Sequence, residues 1–388
     1  MSRMHLLWSP SLGPVGRSRN PRVFLDLAGP AVRGLLLKRG KQVGGRTTVA
    51  AKGDAQFDWN YERTHPEMAR LYDKAKTSQW NGETDLDWSI QVDPFDERVE
   101  LLPERLMPIE RLPHYRGLPR KRQLEHRHGL MAWLLSQFLH GEQGALFAAC
   151  QVTEAVTWTD GKLYGSTQVV DEGRHIEVFH RYLTQKLEKL YRINDNLYTI
   201  IDALMTDGRW DLKFLGMQIM VEGLALGAFS TLRKATKEPL LVDLLKRVIT
   251  DEARHVHFGV VALRDYYATL PEADRRDRED WAYEITVLMR NRFLAHEYYD
   301  EYYAHVMSRR EWDLAALESP FMQSFRDTMF RRLIPNLKRI HLLSERIRPH
   351  YERLGLLRYE HEKAAHELSP GDLLEIDPQD AERLLLGT

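Results

Sequence analysis

Residues 169–179 read VVDEGRHIEVF, and residues 249–259 read ITDEARHVHFG. The shared word is Asp-Glu-x-Arg-His, written twice, eighty residues apart. Glu-x-x-His alone says little in this chain, since Glu62/His65, Glu125/His128 and Glu177/His180 have the same spacing. Requiring the flanking Asp and Arg lowers the chance expectation for one copy to below about 0.01 per chain of ordinary composition. On a helix, residues three apart share a face, so Glu172 with His175 and Glu252 with His255 each aim a carboxylate and an imidazole at one point. Each pair is half of a metal site.

Two such halves are short of oxygen ligands for a binuclear centre, and acids at matching offsets supply them. Glu142 precedes Glu172 by thirty residues, and Glu222 precedes Glu252 by the same thirty. Glu222 carries a separate argument. It sits in FLGMQIMVEGLALGAF, where Gln218 is the only other polar side chain, and a carboxylate buried there costs several kcal/mol unless paired or bound to a cation. The case for Glu142 rests on its spacing.

Working outward, helical periodicity dominates from about residue 118, with long helices expected near 118–157, 162–190, 209–236, 239–269, 278–308 and 319–354. Turn signals such as Asp160-Gly161, Asp207-Gly208, Pro239 and Pro271 separate them, and strand alternation is nearly absent. The fold class is all-α, and helices of this length point to a bundle. A chain of 388 residues with 43% hydrophobic content can bury a sizeable core. No run of eighteen apolar residues marks a membrane span, and the first residues lack the apolar core of a secretory signal. With one cysteine, Cys150, the expected compartment is the cytoplasm. A net charge of −1 gives no bias toward nucleic acid, and none is expected as a partner.

Charge is uneven, however. Residues 1–53 carry ten cations against Asp26 alone, which reads as a basic extension of low order over 1–57. Within it VFLDLAGPAVRGLLLKRGK is amphipathic enough for a weak membrane contact, although a solvated tail over the domain is the plainer reading. The remaining partition is a metal-binding domain over 58–354, with ligand helices at about 118–269, and a tail over 355–388 with a short helix.

Taken in order, Glu142, Glu172-x-x-His175, Glu222 and Glu252-x-x-His255 resemble the ferritin-like di-iron carboxylate superfamily. The doubled five-letter word is most similar to the branch of ribonucleotide reductase small subunits, bacterial multicomponent monooxygenases and ligand-binding oxidases. The resemblance implies a ferritin-like four-helix bundle with a di-metal centre, extended by C-terminal helices. A ligating His usually donates its far N–H to a carboxylate, and Asp171 and Asp251 are placed to do this across the centre, for His255 and His175 respectively. Arg174 and Arg254 would neutralise those aspartates, or are ordinary ion-pair residues.

Four carboxylates and two imidazoles suit iron better than zinc, so two Fe ions are expected, with Mn/Fe as the variant. The implied function is an oxidoreductase that activates dioxygen to hydroxylate, N-oxygenate or desaturate an aromatic or acyl substrate. A ferredoxin or reductase would donate electrons, and a homodimer is the family expectation. Departures from known branches leave the substrate open. The common radical-generating reductase subunit has Tyr where this chain has Phe179. The multicomponent hydroxylases have Thr at Leu226, and the arylamine N-oxygenases add a ligand His at Val248.

Leu146, Phe179 and Leu226, one turn beyond Glu142, His175 and Glu222, are the expected apolar walls of a substrate pocket, or plain bundle core. Gly223, Gly227 and Ala228 leave room beside the third ligand helix, or permit close helix packing. Tyr182 and the tryptophans of SQWNGETDLDW are candidates to carry electrons. A ferritin-type ferroxidase, a radical subunit and a metal-stabilised scaffold are the rival readings. The 271–354 helices and the long N-terminal segment exceed what a minimal storage bundle needs.

Overall fold

The computed structural model describes residues 15–41, 45–107, 109–368 and 372, and among them no strand occurs. Helix α1 (Pro21–Ala31) and helix α2 (Pro66–Thr77) precede the ligand-bearing core. That core begins with α3 (Arg120–Ala155), which rises from Pro119 and ends where Val156 turns extended. It is buried on several sides, through residues such as Met131, Leu135, Phe138, Ala145 and Val152. Helix α4 (Thr159–Arg181) returns antiparallel after a short link. Gly165 lets the two approach, since a Cβ there would stand 2.3 Å from Thr153 Oγ1.

Helix α5 (Asp195–Thr206) occupies a gap between the expected helices, and Asn194 caps it by accepting from Asn196 N–H at 3.0 Å. Helix α6 (Trp210–Ala235) is long and apolar enough to cross a membrane, yet 89% of its most apolar window is buried inside the bundle. It is a core helix. Its stretch Leu215–Glu222 is π-helical, a local widening frequent at functional sites. Helix α7 (Pro239–Thr269) completes the ligand set, and the buried Glu238 caps it through Leu240 N–H (2.9 Å) and Leu241 N–H (2.7 Å).

The expected helix at 278–308 begins earlier and stops sooner, as α8 (Glu272–Asn291). A 3-10 turn, Arg292–Leu294, and a left-handed Ala295 (φ 50°) end it, and Trp312 Nε1 donates to the freed Leu294 carbonyl at 2.6 Å. The chain resumes as α9 (His296–Tyr302) and α10 (Arg309–Glu318), the latter opened by a Ser308/Glu311 capping box. The expected helix at 319–354 is three helices: α11 (Pro320–Phe330), α12 (Leu333–Arg339) and α13 (Arg348–Arg353). Pro335 and Pro349 each withhold an N–H from any continuous helix, and His341 is left-handed (φ 63°). Beyond them lie single turns at Leu357–Tyr359 and Ala365–Glu367, while most of the expected tail helix falls outside the described residues.

The described part of the N-terminal segment, residues 15–41 and 45–57, departs from the low order expected of it. The apolar side of α1 (Val23, Leu27 and Ala31) faces the bundle, whereas Phe24, Leu25 and Leu36 stay exposed. Its polar groups find acids far along the chain. Asn20 Nδ2 donates to Asp277 (2.8 Å) and Asp280 (2.9 Å), and Arg33 grips the buried Asp202 through Nε at 2.9 Å. Residues 45–64 then run extended over the bundle, tied by Lys52 N–H to the Met205 carbonyl (2.9 Å) and Gln56 N–H to the Glu154 carbonyl (2.8 Å).

Candidate metal centre

Helices α3, α4, α6 and α7 bring Glu142, Glu172, His175, Glu222, Glu252 and His255 to one buried place. Potential ligand atoms of Glu142, Glu172, His175 and Glu252 lie within 4.8 Å of one another, as do those of Glu172, Glu222, Glu252 and His255. Glu172 and Glu252 belong to both groups, while Glu142 and Glu222 each belong to one. The imidazoles present Nδ1 to the carboxylates. His175 Nδ1 lies 3.3 Å from Glu142, 3.6 Å from Glu172 and 3.2 Å from Glu252. His255 Nδ1 lies 3.1 Å from Glu172, 3.5 Å from Glu252 and 3.9 Å from Glu222.

The far ring nitrogens meet aspartates across the centre. His175 Nε2 lies 3.1 Å from Asp251 Oδ2, and His255 Nε2 lies 3.3 Å from Asp171 Oδ2. Arg174 bonds Asp171 closely and reaches Asp251 at 3.1 Å; Arg254 bonds Asp251 closely and reaches Asp171 at 3.5 Å. The two arginines are thus buried ion-pair partners of aspartates that hold the imidazoles, not surface residues.

Four buried carboxylates this close are untenable without cations or protons. Burial, then the Glu252 charge, push Glu142 and Glu222 well above the usual carboxylate range. Burial opposes charge on both imidazoles, yet their carboxylate neighbours raise them well above the usual range. The donor set also fits metal on direct observation. Glu172 Oε2, Glu222 Oε2, both oxygens of Glu252 and His255 Nδ1 are buried with no hydrogen-bond partner among the described residues. Such orphaned donor atoms, oxygen-rich with two imidazoles and facing one another, suit two metal ions of the iron and manganese kind.

Four further residues belong to this site, and three of them, Gln79, Gln168 and Gln218, are absent from the expected set. Gln168 Nε2 donates to Glu172 Oε1 (3.2 Å) and Glu222 Oε1 (3.1 Å), and Gln218 Nε2 donates to Gln168 Oε1 (3.3 Å). Both glutamines sit one turn before a ligand, at i−4, which is the signal that would have found them. Trp80 Nε1 donates to Asp251 Oδ2 at 2.7 Å, and Gln79 Nε2 donates to Asp171 Oδ1 at 2.9 Å. Trp80 was among the aromatic candidates; Gln79 had no sequence signal. Of the other electron-carrier candidates, Tyr182 bonds the helix cap Glu238 at 2.7 Å and Trp88 Nε1 donates to the Gly82 carbonyl at 2.7 Å.

The expected pocket walls Leu146, Phe179 and Leu226 are not among the residues that line the apolar cavity described below. Phe179 is buried against Phe229 (5.9 Å, stacked) and Phe138 (6.1 Å), Leu226 is core, and Leu146 is half-buried. An apolar cavity is lined by Leu130, Trp133, Leu134, Leu232, Phe293 and Phe325. Nor does Gly227 leave open space, since a Cβ there would stand 2.8 Å from Met329 Cα. Glu62, Glu177 and His180 are exposed, and His128 bonds the Leu187 carbonyl, so the other Glu-x-x-His pairs stay away from the centre. Val248 is fully buried one turn before Glu252.

Among solved structures, a variant of the R2-like ligand-binding oxidase with an aerobically reconstituted Mn/Fe cofactor is 18% identical, covering 74% of this chain and 96% of that one, with a TM-score of 0.46. The same variant with an anaerobically reconstituted Mn/Fe cofactor is 19% identical over 74% and 95%, with a TM-score of 0.44. No curated protein matches. The profile of the p-aminobenzoate N-oxygenase AurF family matches residues 62–341, a span that holds all six candidate ligands and all four of their newly found neighbours. The chain belongs to the p-aminobenzoate N-oxygenase AurF family, and is a non-haem di-metal oxygenase or oxidase of ferritin-like helical build.

Proposed function

We propose that this chain is a di-iron N-oxygenase acting on an amino group of an aromatic substrate. The observation that carries the reading is the buried set of four glutamates and two histidines with orphaned donor atoms, in a chain of an N-oxygenase family. Glu142, Glu172, His175, Glu222, Glu252 and His255 would hold two iron ions, with Mn/Fe as the variant. Bound there, the ions would supply two-electron activation of dioxygen.

The rest is the work of the chain's own residues. Asp251 and Asp171 accept the far N–H of each imidazole, which fixes the tautomer that leaves Nδ1 free to ligate. Gln168 spends its two N–H donors on Glu172 and Glu222, holding one oxygen of each and turning the other inward. Complete burial of both histidines keeps bulk water out. Electrons from a ferredoxin or reductase would enter at the half-buried Trp80, which connects to His175 through Asp251 by hydrogen bonds of 2.7 and 3.1 Å.

Val248 favours a second reading, carbon hydroxylation, because it stands where arylamine N-oxygenases carry a third imidazole. The test is metal analysis followed by oxygen uptake and product identification with a panel of arylamines and their amine-free analogues. Uptake coupled to N-oxidation supports the first reading, and coupling to the amine-free analogues the second. Uptake that needs only free ferrous iron would make the protein a ferroxidase.

A further inference from the structure

Helix α1 and the π-helical turn that continues it, Val32–Leu36, are apolar on two opposite faces. Val23, Leu27, Pro30 and Ala31 form the inner face and are buried. With about 3.6 residues to a turn, Leu25, Val32 and Leu36 share one stripe on the other side. That stripe is open to solvent: Leu25 is 73% exposed and Leu36 74%, with Val32 and the following Leu37 exposed beside them. A surface helix ordinarily turns a polar face to water, so a second apolar stripe calls for something to cover it.

The surrounding charge identifies the cover. Residues 15–53 carry one acid, Asp26, and Arg209 holds it at 2.6 Å. Of the cations, Arg22, Arg33 and Lys38 are paired with Asp277, Asp202 and Asp195. Arg19, Arg39, Lys41, Arg46 and Lys52 are not, since no carboxylate of the described residues lies within 4.0 Å of their side-chain nitrogens. Arg19 stands just before α1, while Arg39 and Lys41 follow the π-helical turn. Thr47 Oγ1 donates to the Arg39 carbonyl at 3.4 Å, which brings Arg46 to that same end. Cations without acids therefore flank the apolar stripe on both sides.

We propose that this stripe lies on an anionic lipid surface, with Leu25, Val32, Leu36 and Leu37 among the acyl chains and the five cations at the level of the headgroups. Two features favour lipid over a protein partner. The stripe is aliphatic, and only Ala28 and Gly29 lie between Leu25 and Val32 on it, whereas protein interfaces add aromatic side chains and direct hydrogen bonds. Long cationic side chains at its ends can set their charge among phosphates while their stems follow the apolar surface. Docking of this kind is independent of the chemistry at the metal centre, and it would hold the enzyme where apolar molecules dissolve.

Co-sedimentation of the full chain with vesicles tests this, using phosphatidylcholine alone and phosphatidylcholine with about 30% phosphatidylglycerol to supply the negative surface. Wild-type protein is expected to bind the anionic vesicles about tenfold or more tightly than the neutral ones at about 0.1 M salt, and to lose much of that preference at about 0.5 M. Each cation is worth about fivefold at such a surface, so Arg39→Glu with Arg46→Glu should weaken binding about twentyfold or more. Leu25→Ser with Leu36→Ser should weaken it about tenfold or more, with circular dichroism and metal content unchanged because both side chains already face water. Absent or equal binding to the two vesicles by the wild-type protein would overturn the proposal whether or not any variant folds. So would full binding by either double variant. A lipid-free dimer in sedimentation equilibrium that the leucine variant alone fails to form would also overturn it, by giving the stripe to a second copy of the chain.

Discussion

Asp251 receives hydrogen bonds from His175, Trp80, Arg174 and Arg254, more than any ligand does, although it touches no metal position itself. Asp251→Ala is therefore expected to weaken metal affinity by roughly 10 to 100-fold, the usual cost of losing the group behind a ligating His. Asp251→Asn should fall between it and wild type, because the amide keeps the shape but not the charge. Metal titration of the two variants checks this, and unchanged affinity in both would refute the role. His175→Ala or Glu252→Ala should abolish oxygen uptake with far-UV circular dichroism retained, whereas Glu62→Ala, at an exposed position, should leave both unchanged. At this scale the ligands were legible because helical offsets place Glu and His on one face. The bonds of Gln79 and Trp80 to the site were not, because their partners Asp171 and Asp251 lie more than ninety residues away.

Helix contacts set the next scale. Gly227 on α6 meets Met329 on α11 backbone to backbone, so Gly227→Ala must part the two helices and should cost about 1 to 3 kcal/mol, read as a lower melting temperature. His126 on α3 predicts a pH effect. It is buried with a ring nitrogen 2.8 Å from Tyr303 Oη, and burial pulls it down to about 4. The folded protein keeps it neutral while the unfolded chain takes up a proton below about pH 6.5. Stability from this group is thus intact above pH 6.5 and declines toward pH 4, by at most about 1.4 kcal/mol per pH unit. Urea midpoints at pH 7 and 5 should diverge more in wild type than in His126→Gln. The periodicity reading placed α3, α6 and α7 close to their true bounds, because each has long amphipathic or apolar runs with clear end signals, but it carried α4 nine residues past Arg181. It missed α5 and ran through the end of α8, where no Gly or Pro marks the stop and the Trp312 contact supplies it.

Across the whole molecule, the metal centre and stability are coupled. Removing the ions leaves Glu142 and Glu222, both raised by burial and by Glu252, to be neutralised by protons that rebinding ions must displace. Metal affinity should therefore rise with pH, and chelation should lower the melting temperature, both checked by calorimetry at several pH values. The basic N-terminal segment contributes at this scale too, since its charges look unpaired in the sequence but meet acids such as Asp202 and Asp277 in the fold. Glu172 and Glu252 add one last consequence. Each is shared by both ligand groups, so whatever occupies one position draws these two carboxylates into the posture the other position needs. Loading should then be cooperative: sub-stoichiometric metal should yield a mixture of empty and doubly filled molecules, with few singly filled ones, a distribution that native mass spectrometry can count.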